Sequence, residues 1–255
     1  LLVGRRVIPA VWIADFTATV LFAPPLHSLL FAIGTALALL AASSAMRRLG
    51  PLREFYLKPR GMFVFMASTT LLCLVSSLAG AGTEFALTGL TWAETPRLWW
   101  LWFVGDFTGV VLFTPLILAW TCRGLRNPAG RSWEFALILA CTLLAGFVFL
   151  GDSSFLAEGY PVPFIIMPFL IWASFRLGYR ELYTLLPVLG AAAVFTTSRG
   201  YALFPSSSLM QSYVLLQSYL VVIALLCLIV HCVVSERARA FASALGGYSP
   251  SPLRV

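Results

Sequence analysis

Long apolar runs separated by short polar clusters organise this chain. Runs of about 20 apolar residues, enough to cross roughly 30 Å of hydrocarbon at 1.5 Å per residue, recur along it. They predict eight membrane-spanning helices: Val7 to Ala23, Leu26 to Met46, Met62 to Ala81, Leu98 to Trp120, Trp133 to Leu150, Val162 to Phe175, Leu182 to Ser198 and Gln211 to Val234. The sixth run is short and carries Pro163 and Pro168, so its ends are the least defined. Pro115 in the fourth span, Pro168 in the sixth and Pro187 in the seventh each delete a backbone hydrogen bond, and the kinks this predicts open room for a cavity. Ordinary membrane helices carry such prolines too.

The polar clusters alternate in sign. Arg5 and Arg6 precede the first span, and Arg47, Arg48, Arg53, Lys58 and Arg60 follow the second. Arg123, Arg126 and Arg131 follow the fourth, Arg176 and Arg180 the sixth, and Arg237 and Arg239 the eighth. The intervening loops carry Glu84, Glu94, Asp152 and Glu158 against Arg97 and Arg199. Positive loops stay in the cytoplasm, so both ends are expected there. Composition agrees with a membrane solvent: 60% of residues are hydrophobic and 11% charged, too few to cover a water-facing surface. The net charge of +7 is split among loops and forms no continuous basic face, which speaks against nucleic acid as a partner. The fold class is therefore all-α, a polytopic transmembrane helical bundle of about eight spans. Residues 1–240 form the membrane domain, and 241–255, with Gly246, Gly247, Pro250 and Pro252, form a flexible cytoplasmic tail.

Two aspartates stand out against this background. Trp12 to Pro24 and Phe103 to Pro115 align with seven identities in 13 positions, among them an Asp-Phe-Thr triplet and a terminal Val-Leu-Phe-x-Pro. The two spans run in opposite directions, as in an inverted repeat offset by three spans. Asp15 and Asp106 then lie about eight residues, or roughly 12 Å, into their spans from opposite faces. An ionised carboxylate at that depth costs at least about 2.5 to 3.5 kcal/mol, so both should face the bundle interior. Two readings are open: a polar pocket for a ligand, proton or cation, or a packing role in which each acid accepts hydrogen bonds from Thr17, Thr108 or a neighbouring helix. Trp92, Trp99, Trp100, Trp102, Trp120 and Trp133 fall near span ends and suit the headgroup level. A ligand cage built from Trp99, Trp100 and Trp102 is the alternative.

Several chemistries are excluded. A retinal protein needs a lysine within a span, and the one lysine, Lys58, lies in a loop. His27 and His231 belong at opposite faces and cannot share one haem iron, although a single histidine could still ligate a pigment. Cys227 and His231 share a helical face without two further ligands nearby, and the five cysteines form no CxxC pair. No Walker loop, GxSxG elbow, HExxH or kinase signature occurs. No cofactor, metal or catalytic residue is expected.

The blocks "GRRVIPAVWIADF", "WWLWFVGDFTGVVLFTPLILAW", "PFLIWASFRLGYREL" and "LLQSYLVVIALLCLIVHCVVSERARA" resemble a known family, the membrane-associated sensor domains of the MASE type, first class, of bacterial sensor kinases and cyclic-dinucleotide enzymes. The paired tryptophans, Gly-Asp and later proline of its fourth-span block match Trp99, Trp100, Gly105, Asp106 and Pro115. Its Trp-Ala-x-x-Arg-x-Gly pattern matches Trp172, Ala173, Arg176 and Gly178. The resemblance implies a bacterial inner-membrane protein that senses a signal and passes it through its last helix to a cytoplasmic output domain. The family's opening helix is not found here, and the chain opens inside an apolar run, so a preceding segment is expected. Thr35 and Ala38 stand where the family usually carries Asn and Glu.

The resulting expectation is a non-catalytic sensory domain that binds a small ligand inside the bundle. Asp106 is the expected polar anchor, with Trp100 as a pocket wall and Arg176 as counter-charge or lipid-headgroup contact, and Asp15 is a further candidate ligand-binding residue. Membrane lipids, a homo-oligomer or larger assembly, and an output partner are the expected partners. An accessory subunit of a membrane complex and a small transporter are the rival readings.

Overall fold

The computed structural model describes residues 8–49, 59–121, 133–140, 162–199, 204, 206 and 208–244 of the chain. Every regular element among the described residues is helical. The helices are α1 (Ile8–Val20), α2 (Pro25–Leu49), α3 (Pro59–Thr88), α4 (Thr95–Thr121), α5 (Val162–Ile165), α6 (Met167–Arg176), α7 (Tyr179–Ser198) and α8 (Leu209–Ala244), with a further helical stretch at 133–140. Five of them, α2, α3, α4, α7 and α8, are long and apolar enough to cross a membrane. They coincide with the second, third, fourth, seventh and eighth predicted spans.

The other three predicted spans have shorter described helices. The first contains α1, of 13 residues. The fifth is helical over 133–140, and its remainder lies outside the described residues. The sixth is divided at Ile166 into α5 and α6, with Pro168 in the first turn of α6. There its missing N–H is one of the donors a helix start leaves unpaired anyway. Pro168 thus starts a helix, while Pro115 and Pro187 do lie inside α4 and α7. The helix α8 continues to Ala244, so the domain boundary expected at 240 falls within a helix.

The chain forms two compact units, Leu1–Phe107 and Thr108–Val255, divided in the middle of α4. In the first unit α2 packs along α3, and α1 along α2. Ser28, Ala32, Gly34, Ala38 and Ala42 on α2, and Ser77, Gly80 and Ala81 on α3, are buried small residues. Small residues let membrane helices approach closely where no water drives them together. Gly34 lies so near the Cβ of Ala79 that a side chain at 34 would collide with it. Gly80 likewise gives its space to the Trp102 indole, which meets Phe31 edge-on with ring centres 5.3 Å apart. Two turns nearer the start of α2, His27 Nε2 lies 2.8 Å from Glu84 Oε1, one turn and more beyond Ala79 on α3, so α2 and α3 run in opposite directions.

The repeated Val-Leu-Phe-x-Pro ends differently in its two copies. Pro24 is followed by Pro25, and two successive prolines cannot continue a helix, so α1 closes through bonds to the Thr19 carbonyl and Pro25 opens α2. Pro115 is followed by Leu116 and remains inside α4.

In the second unit α6 and α7 both pack on α8. Cys227 Sγ lies 3.8 Å from the Leu170 carbonyl, and His231 Nδ1 lies 3.0 Å from the Ser174 carbonyl. Each pair is displaced by one helical turn in the same sense, so α6 and α8 run parallel. Gly190 of α7 faces Leu112 of α4 and Leu220 of α8, while Thr184 and Tyr183 meet Trp120 and His231. The helix α7 therefore runs opposite to both α4 and α8.

Candidate functional site

The helix α4 carries the candidate anchor, and its start is set by local chemistry. Gly89, at φ 73°, adopts the left-handed conformation that stops α3. Thr91 and Glu94 then form a cap: the Glu94 carboxylate accepts the Thr91 hydroxyl at 2.6 Å and the Thr91 backbone N–H at 3.1 Å. These donors hold the exposed Glu94 carboxyl below the usual range. Beyond the cap, Trp99, Trp100, Phe103 and Phe107 form a ladder of rings with neighbouring centres 5.7–6.2 Å apart.

Asp106 follows one turn after Trp102. Ser76 of α3 and Asp15 of α1 both lie close enough to Asp106 to interact with its carboxylate. Cys73, buried one turn before Ser76 on α3, also lies within electrostatic reach of Asp106. The two aspartates singled out by the repeat are thus brought together in one unit, with three helices contributing. Asp106 keeps part of its surface exposed among the described residues, whereas Asp15 Oδ2 is buried without a hydrogen-bond partner. The threonines of the two triplets serve other groups. Thr17 donates to the Ile13 carbonyl at 2.7 Å, and Thr108 to the Gln217 carbonyl at 3.4 Å. Ser76 was not legible in advance, because serines in apolar helices commonly bond their own backbone, as Ser77 does to the Cys73 carbonyl.

Trp100 lies six residues before Asp106, roughly 120° away around the helix, and is exposed. Trp102, four residues before Asp106 and on its face, is the tryptophan packed inward. Trp92, Trp120 and Trp133 are exposed, as headgroup-level rings are. Ala38 is wholly buried on α2.

Arg176 ends α6 and pairs with Glu134, Nη2 to Oε1 2.7 Å, the carboxylate side chain being 5% exposed. Its charge is thereby met by an acid that the sequence reading passed over at the start of the fifth span. The neighbouring carbonyls of α6 meet α8. His231 is buried, and since a carbonyl only accepts, its Nδ1 carries the hydrogen donated to Ser174. Tyr179 meets the imidazole edge-on at 4.5 Å and Tyr183 at 5.8 Å. Nε2 lies 3.5 Å from Ser235 Oγ. The Ser174 carbonyl belongs to the last turn of α6, where helix geometry leaves acceptors unpaired, so His231 completes that helix end. Among the described residues no group of three or more His, Cys, Asp or Glu could hold a metal ion.

The sequence profile of the MASE1 family matches residues 1–238. No curated protein and no solved structure matches the chain. The match includes the α4 block around Asp106, the Trp172–Gly178 corner and all but the last turns of α8. The chain belongs to MASE1, a family of membrane-associated sensor domains.

Proposed function

We propose that this chain is the input domain of a signalling system, that it crosses the membrane eight times with both ends in the cytoplasm, and that Asp106 and Asp15 bind a small ligand within the bundle. The observation that carries the ligand reading is the convergence of Asp106, Ser76 and Asp15 from α4, α3 and α1. Ionised carboxylates only accept hydrogen bonds, so two of them favour a cation or a ligand rich in donors. The helix directions support the eight-span frame: α3 opposes α2, α7 opposes α4, and α8 is parallel to α6, as strict alternation requires.

Transmission runs through α8. At 36 residues it is about 54 Å long, well beyond the roughly 30 Å of hydrocarbon, and its last turns carry Glu236, Arg237 and Arg239. The His231 bond to Ser174 ties this helix to the Trp172–Gly178 corner, so a shift there moves α8 as a rigid element.

The test uses the full chain in lipid nanodiscs, titrated with sodium, potassium and methylammonium ions while the emission of Trp99, Trp100 and Trp102 is followed. A saturable change that Asp106→Asn abolishes and Asp15→Asn weakens is expected. An identical response in Asp106→Asn would refute the ligand reading. The accessory-subunit reading gains from the buried Ala38, and gentle solubilisation decides it: co-migration with fixed partners favours a subunit, migration alone a self-contained sensor.

A further inference from the structure

At the end of α4 and the start of α7, four contacts close into a ring that neither the carboxylate cluster nor the His231 joint uses. Arg180 Nε donates to the Ala119 carbonyl at 3.1 Å. The Arg180 guanidinium carbon stands 5.3 Å from the centre of the Trp120 ring. The Trp120 indole N–H donates to Thr184 Oγ1 at 3.0 Å, and the Thr184 hydroxyl donates to the Arg180 carbonyl at 2.7 Å. Arginine normally loses several freely rotating torsions on binding an anion. Here the ring has already fixed the plane of the guanidinium.

The charge has no acidic counterpart in the protein among the described residues. Arg176, one turn earlier in the chain, is met by Glu134, whereas no carboxylate lies within ion-pair distance of Arg180, its neighbour Glu181 included. The C-terminal end of α4 offsets part of a positive charge through its dipole, equivalent to about half an elementary charge. The indole face contributes a cation–π attraction. Neither satisfies the terminal N–H groups, four of the five that a guanidinium offers once Nε is engaged.

The depth of the site identifies the anion. Ala119 and Trp120 close an apolar span that ends at Thr121, and Trp120 is 59% exposed, as an indole at the headgroup level is. In sequence the span leads into the basic cluster Arg123, Arg126 and Arg131, of the kind that marks a cytoplasmic membrane border. A planar, pre-oriented guanidinium matches phosphate oxygens in pairs. We infer that Arg180 and Trp120 form a binding site for the phosphate headgroup of an anionic membrane phospholipid.

The experiment counts lipids retained by the full chain in native mass spectrometry, released from detergent supplemented with phosphatidylglycerol or with phosphatidylcholine. The wild type is expected to keep one phosphatidylglycerol in preference to phosphatidylcholine. Arg180→Gln should weaken that retention by about tenfold or more, the worth of a charge-assisted hydrogen bond. Arg176→Gln should leave it unchanged, since that guanidinium already has its acid. Thr184→Val keeps the arginine but releases the indole, and should weaken retention several-fold with helicity preserved, so the inference does not depend on one variant folding. Equal retention in Arg180→Gln and wild type would overturn it and leave Arg180 as a cap on α4. Displacement of the lipid by millimolar inorganic phosphate would overturn the assignment to a lipid.

Discussion

Replacing His231 separates two contributions that hold α8 to the corner between α6 and α7. His231→Phe keeps a ring between Tyr179 and Tyr183 but removes the donor to Ser174. Hydrogen bonds between membrane helices average about 0.6 kcal/mol and reach about 1.7, because the alternative state also finds partners. The phenylalanine variant should therefore lose no more than about 2 kcal/mol. His231→Ala also removes the ring from a site only 4% exposed. Edge-on contacts contribute about 0.5–1.5 kcal/mol each, and emptying a buried aromatic site costs about 3–5 in total. The alanine variant should sit in that upper range. Titration from mild detergent into dodecyl sulfate, followed by circular dichroism, measures both. Equal losses in the two variants would place the energy in the hydrogen bond instead of the packing. A loss below about 1 kcal/mol in His231→Ala would show that the joint does not hold α8 at all.

Gly80→Ala should cost about 1–3 kcal/mol in the same titration, because a methyl group there runs into the Trp102 indole. Gly82→Ala, which meets open space, should be neutral or gain up to about 1 kcal/mol from helix propensity. Glu94 makes the start of α4 sensitive to acid. Its carboxyl is held below its unfolded value by Thr91, so its stabilisation is complete above the unfolded value and is lost as pH falls through the folded one. Hydrogen-exchange protection in the first turn of α4 should fall below about pH 4, and Glu94→Gln should remove that dependence. A variant profile identical to wild type would exclude the cap as its cause.

The legible parts were those governed by local energetics. Five predicted spans coincide with long apolar helices, each of which reaches past the predicted span at one end or both. Hydropathy registers the stretch that lipid can surround, whereas a helix continues until a breaker such as Gly89 stops it. The repeat singled out Asp15 and Asp106 but carried no signal that they lie near each other. Ser76 and Glu134 were not found, because one serine among many and one acid at a span end carry no signal of the helix they meet. The same limit applies to Pro24 and Pro115, which share a motif and differ in the next residue.

From sequence alone followed the membrane solvent, the helical class and the rarity of the two acids inside apolar spans, since transfer of each side chain into lipid is nearly additive and needs no knowledge of neighbours. Tertiary structure decided which polar groups meet: Asp106 with Ser76, Arg176 with Glu134, His231 with the carbonyl of Ser174. Those pairings depend on how helices tens of residues apart are rotated and slid against one another, and that geometry is set by the shapes of packed side chains, such as Trp102 against Gly80, which no single segment contains.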